Sequence, residues 1–302
     1  MNLGATEEQL GRAQPKDEAG NTGALTPAHR DGGIPPMNPL LAPALVLLVA
    51  LAASPALATE NSTAGRTTAD AMKFDYPVDN IRDALDNEDR PVADRDRDLP
   101  EKTEAILRAA GLKRGMRVVD LRAGDGYLAH LLALAVYPQG KAWGNNDPAG
   151  IDEATSKAWE ARLEDPATPD LARTKNPLGE PLQPYALGVD VVVSNGAYHD
   201  AVARGYDRSA MNAAIFRAVA VGGKYVVVDA RAPKGTTLAV AAVQCRADEA
   251  EVRREVEAAG FRLLEASEAL KEAGDSRSSS ACGAAGRKAD RFLLVFEKPK
   301  SE

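Results

Sequence analysis

The sequence has few of the residues that build metal centres or nucleic-acid surfaces. It contains two cysteines and three histidines in 302 residues. None of them has the spacing of metal ligands, so a zinc site has no support. The net charge is −7 and no run of five or more basic residues occurs, which disfavours a nucleic-acid partner. We therefore expect no metal in the site and no nucleic acid as substrate.

Aromatic residues are also scarce, at 5% of the chain. The core must therefore depend mainly on Ala, Val and Leu, which belong to a hydrophobic fraction of 44%. That fraction is large enough for a sizeable core, and the length allows one or two domains.

A long apolar run occurs at residues 37–58. It ends in Ala56-Leu57-Ala58, a small-x-small sequence typical of a signal-peptidase site. The alternative is a membrane anchor at residues 40–58, because about 20 apolar residues can span a bilayer. Pro43 and Pro55 favour cleavage, which would leave no stable membrane insertion. We therefore expect an exported, periplasmic protein, with a membrane-anchored one as the alternative.

The segments on either side of this run are polar. Residues 1–36 show no period that could bury a face, and we expect a disordered tail or an over-extended gene start. Residues 59–99 are acidic and polar and are expected to lead into the domain as a solvated segment. The folded domain is predicted at residues 100–302.

Cys245 and Cys282 have two possible states. In the oxidising compartment expected of an exported protein, they can form one disulfide. The sequence does not show that they meet, so two free thiols are the alternative.

Apolar strands alternate with amphipathic helices in the predicted domain. This alternation predicts a parallel α/β sheet. No strand is evident at residues 150–187. The predicted strands are 117–121, 141–144, 188–194, 225–229, 261–265 and 291–296.

The segment Met116–Tyr127 carries the strongest functional pattern. It reads as a buried strand, an acidic residue at its end, a glycine-bearing turn and the start of a helix. Such a turn places backbone N–H groups and a helix N-terminus at the carboxyl edge of the sheet, where nucleotide-like ligands bind. Gly124 and Gly126 let a ligand approach the backbone. Asp120 can accept hydrogen bonds from ligand amino or hydroxyl groups.

With these residues the chain resembles the class I S-adenosylmethionine-dependent methyltransferases, whose first motif is Asp/Glu-x-Gly-x-Gly-x-Gly. Arg122 stands in place of the first glycine, where it could narrow the methionine pocket or offer a cation to the methionine carboxylate. The resemblance extends to a subgroup of exported predicted methyltransferases with a Tyr-His-Asp motif. The shared segments are Gly115–Asp120, Tyr198–Asp200, Asp207-Arg208, Gly222–Asp229, Ala258–Phe261 and Arg291–Pro299.

The resemblance implies an α/β fold with a Rossmann-like methyltransferase sheet. The sheet should be mostly parallel with one antiparallel strand near the C-terminus, and helices should cover both faces. It also implies S-adenosylmethionine as the cofactor and a methyl acceptor, which we expect to be a small molecule. The expected cofactor-binding residues are Asp120, Gly124, Gly126, Asn146 and Asn195.

Asn146 is the candidate for the ribose hydroxyls, because the resembling subgroup has an asparagine at the end of the second strand. Asp147 is the second choice. The alternative is a structural turn that is rich in Asn and Asp.

Three neighbouring residues are candidates for the catalytic step. His199 follows a strand end and is the best base candidate for an acceptor that carries a proton, although a lone histidine is more often structural. Tyr198 is expected to shape the acceptor pocket or to pack. Asp200 is expected to orient His199 or to cap the next helix.

Replacements within the resembling segments favour a second hypothesis. Ala230 and Cys245 stand where the subgroup tends to carry histidines, and Arg122 replaces the motif glycine. The alternative to an active methyltransferase is therefore a catalytically degenerate binding protein of the same fold in the periplasm. Arg246 and Asp248 remain as candidates to line the acceptor side.

A nicotinamide-dependent dehydrogenase is a third hypothesis. Tyr137 and Lys141 have the Tyr-x-x-x-Lys spacing of short-chain dehydrogenases. Pro138 and Gly140 disrupt the helix that would align the pair, and the turn lacks the full Gly-x-Gly-x-x-Gly pattern.

Overall fold

The computed structural model describes residues 79–182 and 187–300. The predictions for residues 1–36 and 37–58, and for the first part of the segment 59–99, lie outside these residues. Within the described ranges, no helix has the length and apolar character needed to cross a membrane.

Helices and strands alternate along the described chain. The helices are α1 (Asn80–Leu85), α2 (Val92–Asp98), α3 (Thr103–Ala110), α4 (Tyr127–Val136), α5 (Glu153–Glu164), α6 (Ala197–Ala203), α7 (Arg208–Ala218), α8 (Leu238–Ala242) and α9 (Glu249–Ala258). The strands are β1 (Arg117–Asp120), β2 (Lys141–Asn145), β3 (Leu171–Thr174), β4 (Val189–Asn195), β5 (Val219–Ala230), β6 (Arg262–Ser267) and β7 (Arg291–Glu297). In the described ranges, 3₁₀ turns occur at Pro148–Gly150 and Gly283–Lys288.

The strands form one seven-stranded sheet in the order β3-β2-β1-β4-β5-β7-β6. The strands from β3 to β5 pair in parallel, and Val118 of β1 lies between Ala142 of β2 and Val191 of β4. β7 runs antiparallel to both of its neighbours. The predicted α/β fold with a Rossmann-like methyltransferase sheet is confirmed.

Helices cover both faces of the sheet because successive side chains of a strand point to opposite faces. Val118 and Val226 pack on the face that carries α1, α3 and α4. Val119 and Val227 pack on the face that carries α6, α7 and α9. Burying one such side chain stabilises the fold by about 1.5–3 kcal/mol, so the many aliphatic residues compensate for the few aromatic ones.

The N-terminal helices α1 and α2 are part of this packing. Asn80 Nδ2 of α1 donates to the carbonyl oxygen of Ala135 in α4 at 2.6 Å. Asp94 of α2 is buried and forms an ion pair with Arg162 of α5 at 2.8 Å. The described part of the segment expected to be solvated is therefore helical and packed on the domain.

A helix and a strand lie in the region where no strand was evident from the sequence. Asp152 caps α5 by accepting from the backbone N–H of Thr155 at 2.7 Å. Trp159 is the buried residue of this helix, so α5 has no continuous apolar face to detect. β3 then pairs with β2, with Leu171 opposite Ala142.

Candidate active site

The carboxyl ends of β1, β4 and β5 meet at one edge of the sheet and form the base of a cavity of about 260 Å³. Asp120 is the last residue of β1, Asn195 is the last residue of β4, and Asp229 lies at the end of β5. The other walls come from α2, the chain before α3, the start of β7 and the segment 281–287. This is the edge at which parallel α/β sheets bind ligands.

Asp120 is a buried carboxylate with one unpartnered oxygen. Its exposed fraction is 1%. Oδ1 accepts from the backbone N–H of Arg122 at 3.3 Å, whereas Oδ2 has no hydrogen-bond partner among the described residues. Burial raises the pKa of Asp120 to about 7, because removal from water disfavours the charged form. Asp120 can therefore accept a hydrogen bond from a ligand N–H or O–H group.

The two glycines of the predicted turn have different surroundings. Gly124 and Gly126 both have left-handed φ angles, of 53° and 85°. A Cβ at Gly124 would meet no atom within 4 Å, and Gly124 lines the cavity, so a ligand can approach the backbone there. A Cβ at Gly126 would lie 3.0 Å from Arg162 Nε and 3.1 Å from Trp159. Gly126 therefore makes room for packing beneath the turn.

His199 and Asp229 form a hydrogen-bonded dyad in the cavity wall. Asp229 Oδ1 lies 2.7 Å from His199 Nδ1, and Oδ2 accepts from the backbone N–H of His199 at 3.0 Å. Burial disfavours protonation of the imidazole, but the charge and hydrogen bond of Asp229 outweigh it and raise the pKa of His199. Because Asp229 accepts the proton of Nδ1, Nε2 is the nitrogen left to act as a base.

Asp229 is a candidate functional residue that the sequence analysis did not predict. It is the penultimate residue of the Val-rich strand β5, and Asp120 is the last residue of β1, so an acidic residue near a strand end was the available signal. The pairing itself joins residues 30 positions apart, which no local pattern reveals.

Arg122 lines the cavity and forms an ion pair with Asp200. Arg122 Nε donates to Asp200 Oδ2, and a Cβ built on Gly196 would lie 3.3 Å from Arg122 Nη1. Asp200 Oδ1 is 3.6 Å from His199 Nε2. Asp200 thus adds negative charge near His199, and the cap of α7 is Asp207 instead.

Tyr198 lies outside the cavity. Its side chain is fully buried, and its hydroxyl donates to Glu255 of α9. The same hydroxyl accepts from Asn212 Nδ2 of α7 at 3.1 Å. Tyr198 therefore connects α6 to the two helices packed beside it.

The two predicted asparagines lie in different places. Asn195 lines the cavity. Asn146 follows β2 and does not line the cavity. Both polar atoms of its carboxamide are hydrogen-bonded to other parts of the protein. Its Nδ2 donates to Gly124 O at 2.9 Å, and its Oδ1 accepts from Arg173 Nε at 3.1 Å. Asp147, the second choice, accepts from the backbone N–H groups of residues 149 and 178.

A disulfide between Cys245 and Cys282 holds one wall of the cavity. Their Cα atoms lie 5.1 Å apart, so the bridged state is the one found. Cys245 itself lines the cavity, together with Ala281 and Gly283 beside the second cysteine. The bridge therefore ties the segment before β7 to the chain that follows α8.

Arg246 and Asp248, suggested for the acceptor side, have structural partners. Arg246 is buried and forms an ion pair with Asp275 at 2.9 Å. Asp248 caps α9 by accepting from the backbone N–H of Glu251 at 3.0 Å. Neither residue lines the cavity.

The geometry gives no support to the Tyr137 and Lys141 pair on which the dehydrogenase hypothesis depends. Lys141 is the first residue of β2 and Tyr137 follows α4. Both residues therefore lie at the amino edge of the sheet, away from the cavity.

In the described ranges, no group of three or more His, Cys, Asp or Glu side chains is placed to hold a metal ion.

Solved structures with a similar fold include two S-adenosylmethionine-dependent methyltransferases. One, from Aquifex aeolicus, is 16% identical, covers 68% of this chain and 95% of its own, and has a TM-score of 0.48. A TehB-like one from Corynebacterium glutamicum is 19% identical, covers 68% and 95%, and has a TM-score of 0.45. No family model and no curated protein matches the chain. The fold assignment rests on the strand order of the sheet.

Proposed function

We propose that this protein is an S-adenosylmethionine-dependent methyltransferase that acts on a small-molecule acceptor. The proposal rests on the Asp120 oxygen that no described residue hydrogen-bonds, buried beside the open turn at Gly124. A carboxylate oxygen there fits the ammonium group of the cofactor's amino-acid end, and the missing side chain of Gly124 leaves room for it. Asn195 extends the same surface from the end of β4.

When bound, S-adenosylmethionine supplies a methyl group on a positively charged sulfur. For an acceptor with an O–H group, His199 Nε2 takes the proton as the oxygen attacks. Asp229 keeps Nδ1–H in place and stabilises the imidazolium that forms. Holding the acceptor in line in the cavity supplies much of the remaining rate acceleration.

We further propose that the protein is exported to the periplasm and that residues 37–58 are its signal peptide. The apolar run and its small-x-small end support this placement. The Cys245–Cys282 bridge adds support, because disulfides persist in oxidising compartments.

A second candidate is a binding protein of the same fold that has lost methyl transfer. The state of Asn146 favours it, since both polar atoms of the carboxamide that was expected to hold the ribose are engaged within the protein. Arg122, in place of the first motif glycine, is paired with Asp200 beside the cavity.

Calorimetric titration of the full-length chain with S-adenosylmethionine and S-adenosylhomocysteine tests the first candidate. We expect micromolar dissociation constants, or about −8 kcal/mol. The absence of both heat and thermal stabilisation with either compound would remove the methyltransferase proposal.

The variant Arg122→Gly separates the two candidates further. It restores the motif glycine and removes the ion pair with Asp200. If the second candidate holds because Arg122 excludes the cofactor, binding of S-adenosylhomocysteine appears only in this variant. Under the first, the wild-type protein already binds.

A further inference from the structure

Arg291 is a buried guanidinium that forms no ion pair with the described residues. It begins β7, lines the cavity and is 7% exposed. One nitrogen, Nη2, donates to the carbonyl oxygen of Glu101 at 2.8 Å. Nε is buried and has no hydrogen-bond partner in the described part of the chain. A buried cation in this state is costly unless something else supplies a counter-charge.

The two carboxylates that act electrostatically on Arg291 are already paired with other cations. Glu101 lies 2.8 Å from Arg97 Nε. Glu272 lies 2.6 Å from Lys102 Nζ. Both exert some electrostatic influence on Arg291, yet burial dominates and lowers the pKa of its guanidinium.

Other buried arginines of the chain do have carboxylate partners. Arg246 lies 2.9 Å from Asp275, and Arg162 lies 2.8 Å from Asp94. These two arginines do not line the cavity. Arg291 therefore differs from them in the two respects that matter for a ligand: it has no carboxylate partner among the described residues, and it lines a cavity.

The position of Arg291 brings it close to the dyad. In the antiparallel pairing of β5 and β7, Arg291 lies opposite Ala230, the residue that follows Asp229. Such cross-strand pairs have Cα atoms about 5 Å apart. Arg291 and His199 line the same cavity, with Arg291 bonded to the chain before α3 and His199 placed by α6.

We propose that Arg291 binds a carboxylate group of a ligand in this cavity. A carboxylate can accept two parallel N–H bonds from a guanidinium, which would provide both the missing partner of Nε and the counter-charge. Two ligands could bring it: the cofactor, through its amino-acid end, or an acidic acceptor. The cofactor case rests on the proposed function, whereas the acceptor case requires only the cavity.

Titration of the full-length wild-type chain and of Arg291→Met distinguishes these sources. S-adenosylhomocysteine carries the carboxylate, and 5′-methylthioadenosine lacks it. Lactate and L-malate represent short hydroxy acids, and their binding is measured as an increase in the melting temperature of the protein. Methionine preserves much of the length of the arginine stem and removes its charge.

A loss of about tenfold to hundredfold in S-adenosylhomocysteine affinity, with 5′-methylthioadenosine binding unchanged, assigns Arg291 to the cofactor. Unchanged S-adenosylhomocysteine affinity with lost stabilisation by the hydroxy acids assigns it to the acceptor. If Arg291→Met changes neither the S-adenosylhomocysteine affinity nor the stabilisation by the hydroxy acids, the proposal is overturned. If the wild-type chain binds neither nucleoside, the proposed function fails, and the hydroxy acids alone then test Arg291. If these acids also fail to stabilise the wild-type chain, the proposal about Arg291 is overturned.

Two further variants separate ligand binding from a structural role. Arg291→Lys keeps the charge and should retain part of the affinity. Arg246→Met is the matched control, because it removes a buried arginine that has a carboxylate partner, and its melting temperature should fall. We expect Arg291→Met to keep the wild-type melting temperature or exceed it. A fall like that of Arg246→Met, together with unchanged ligand affinity, makes Arg291 a structural cation and overturns the proposal.

Discussion

The ends of β1 and β5 present the same residue in two different states. Asp120 and Asp229 are both buried, with exposed fractions of 1% and 2%. Asp229 accepts hydrogen bonds from His199 N, from the His199 ring and from Ala230 N, at 2.7–3.0 Å. Asp120 accepts one bond of 3.3 Å and has a second oxygen without a partner among the described residues.

The carboxylate of Asp229 is therefore used in contacts within the protein, whereas one oxygen of Asp120 is available to a ligand. Asp229 uses its charge to orient His199, and the partnership raises the pKa of the histidine. The pKa of Asp120 is raised for the opposite reason, because burial is not compensated by a partner. Equal burial and equal strand position therefore do not imply equal roles.

The largest expected effect comes from Asp229→Asn. The amide cannot hold the Nδ1 proton of His199 as a carboxylate does, so the base loses its tautomer and its charge partner. We expect turnover of an acceptor to fall about 10²–10⁴-fold and the pKa of His199 to fall, as measured by NMR titration of the imidazole. A wild-type pKa in this variant would contradict the dyad.

A matched control for this variant is Asp190→Asn. Asp190 lies near the start of β4, at the other edge of the sheet, and accepts from the backbone N–H of Arg117 at 2.8 Å. Its substitution should leave the titration of His199 unchanged.

Asp120→Asn should increase stability while it weakens ligand binding. The folded-state pKa is about 7 and the ordinary value is 3.8, so the folded protein loses stability as the pH rises from about 4 through 7. At about 1.4 kcal/mol per pKa unit, the variant should gain about 2–4 kcal/mol at pH 8.5. The gain should be about half as large at pH 5.5.

Urea unfolding at the two pH values measures this gain. Calorimetry with S-adenosylhomocysteine should show affinity reduced by about tenfold or more. The same stability gain at both pH values would mean that the Asp120 carboxylate does not titrate in this range, and unchanged affinity would remove Asp120 from the site.

The raised pKa of His199 sets the expected pH dependence at the β5 end. Only the neutral imidazole can take a proton, so turnover should fall about tenfold per pH unit below this pKa, which lies above the usual 6.5. For stability the sign is opposite. The contribution of His199 is complete below pH 6.5 and is lost as the pH rises through its folded-state pKa. A turnover profile that is flat from pH 5 to 8 would exclude His199 as the base.

The smallest effect is expected from Tyr198→Phe. The hydroxyl bonds to Glu255 and Asn212, away from the cavity. Its loss should lower the free energy of unfolding by about 1–2 kcal/mol without a change in S-adenosylhomocysteine affinity or in the titration of His199. A selective loss of ligand binding would instead return Tyr198 to the site.

Much of the fold could be predicted because its pattern is local. The Val-rich strands β1, β4 and β5 and the helices between them show their periods within short windows of sequence. β3 and α5 could not be predicted in this way. Their region holds Trp159, whose Nε1 donates to Gly124 O at 2.8 Å, and Arg162, which pairs with Asp94 at 2.8 Å. Such long-range contacts leave no periodic signal.

The same distinction between local and long-range signals applies to the residues of the site. Asp120 and Gly124 line the cavity as expected, because a strand followed by a glycine turn defines their positions locally. His199 also lines it, but its partner Asp229 comes from another strand. Arg291 shows no signal at all in the sequence, because its lack of a carboxylate partner depends on every side chain packed around it.

The bridge between Cys245 and Cys282 has a consequence for how the protein is produced. It closes a loop between residues 37 positions apart, for which chain-entropy models give a stabilisation of about 4 kcal/mol. Material made in a reducing cytoplasm would carry two thiols instead, and the cavity wall would not be fastened. A ligand screen that finds no binding to such a preparation would reflect the reduced state of the two cysteines. The free thiols should therefore be counted before any binding experiment.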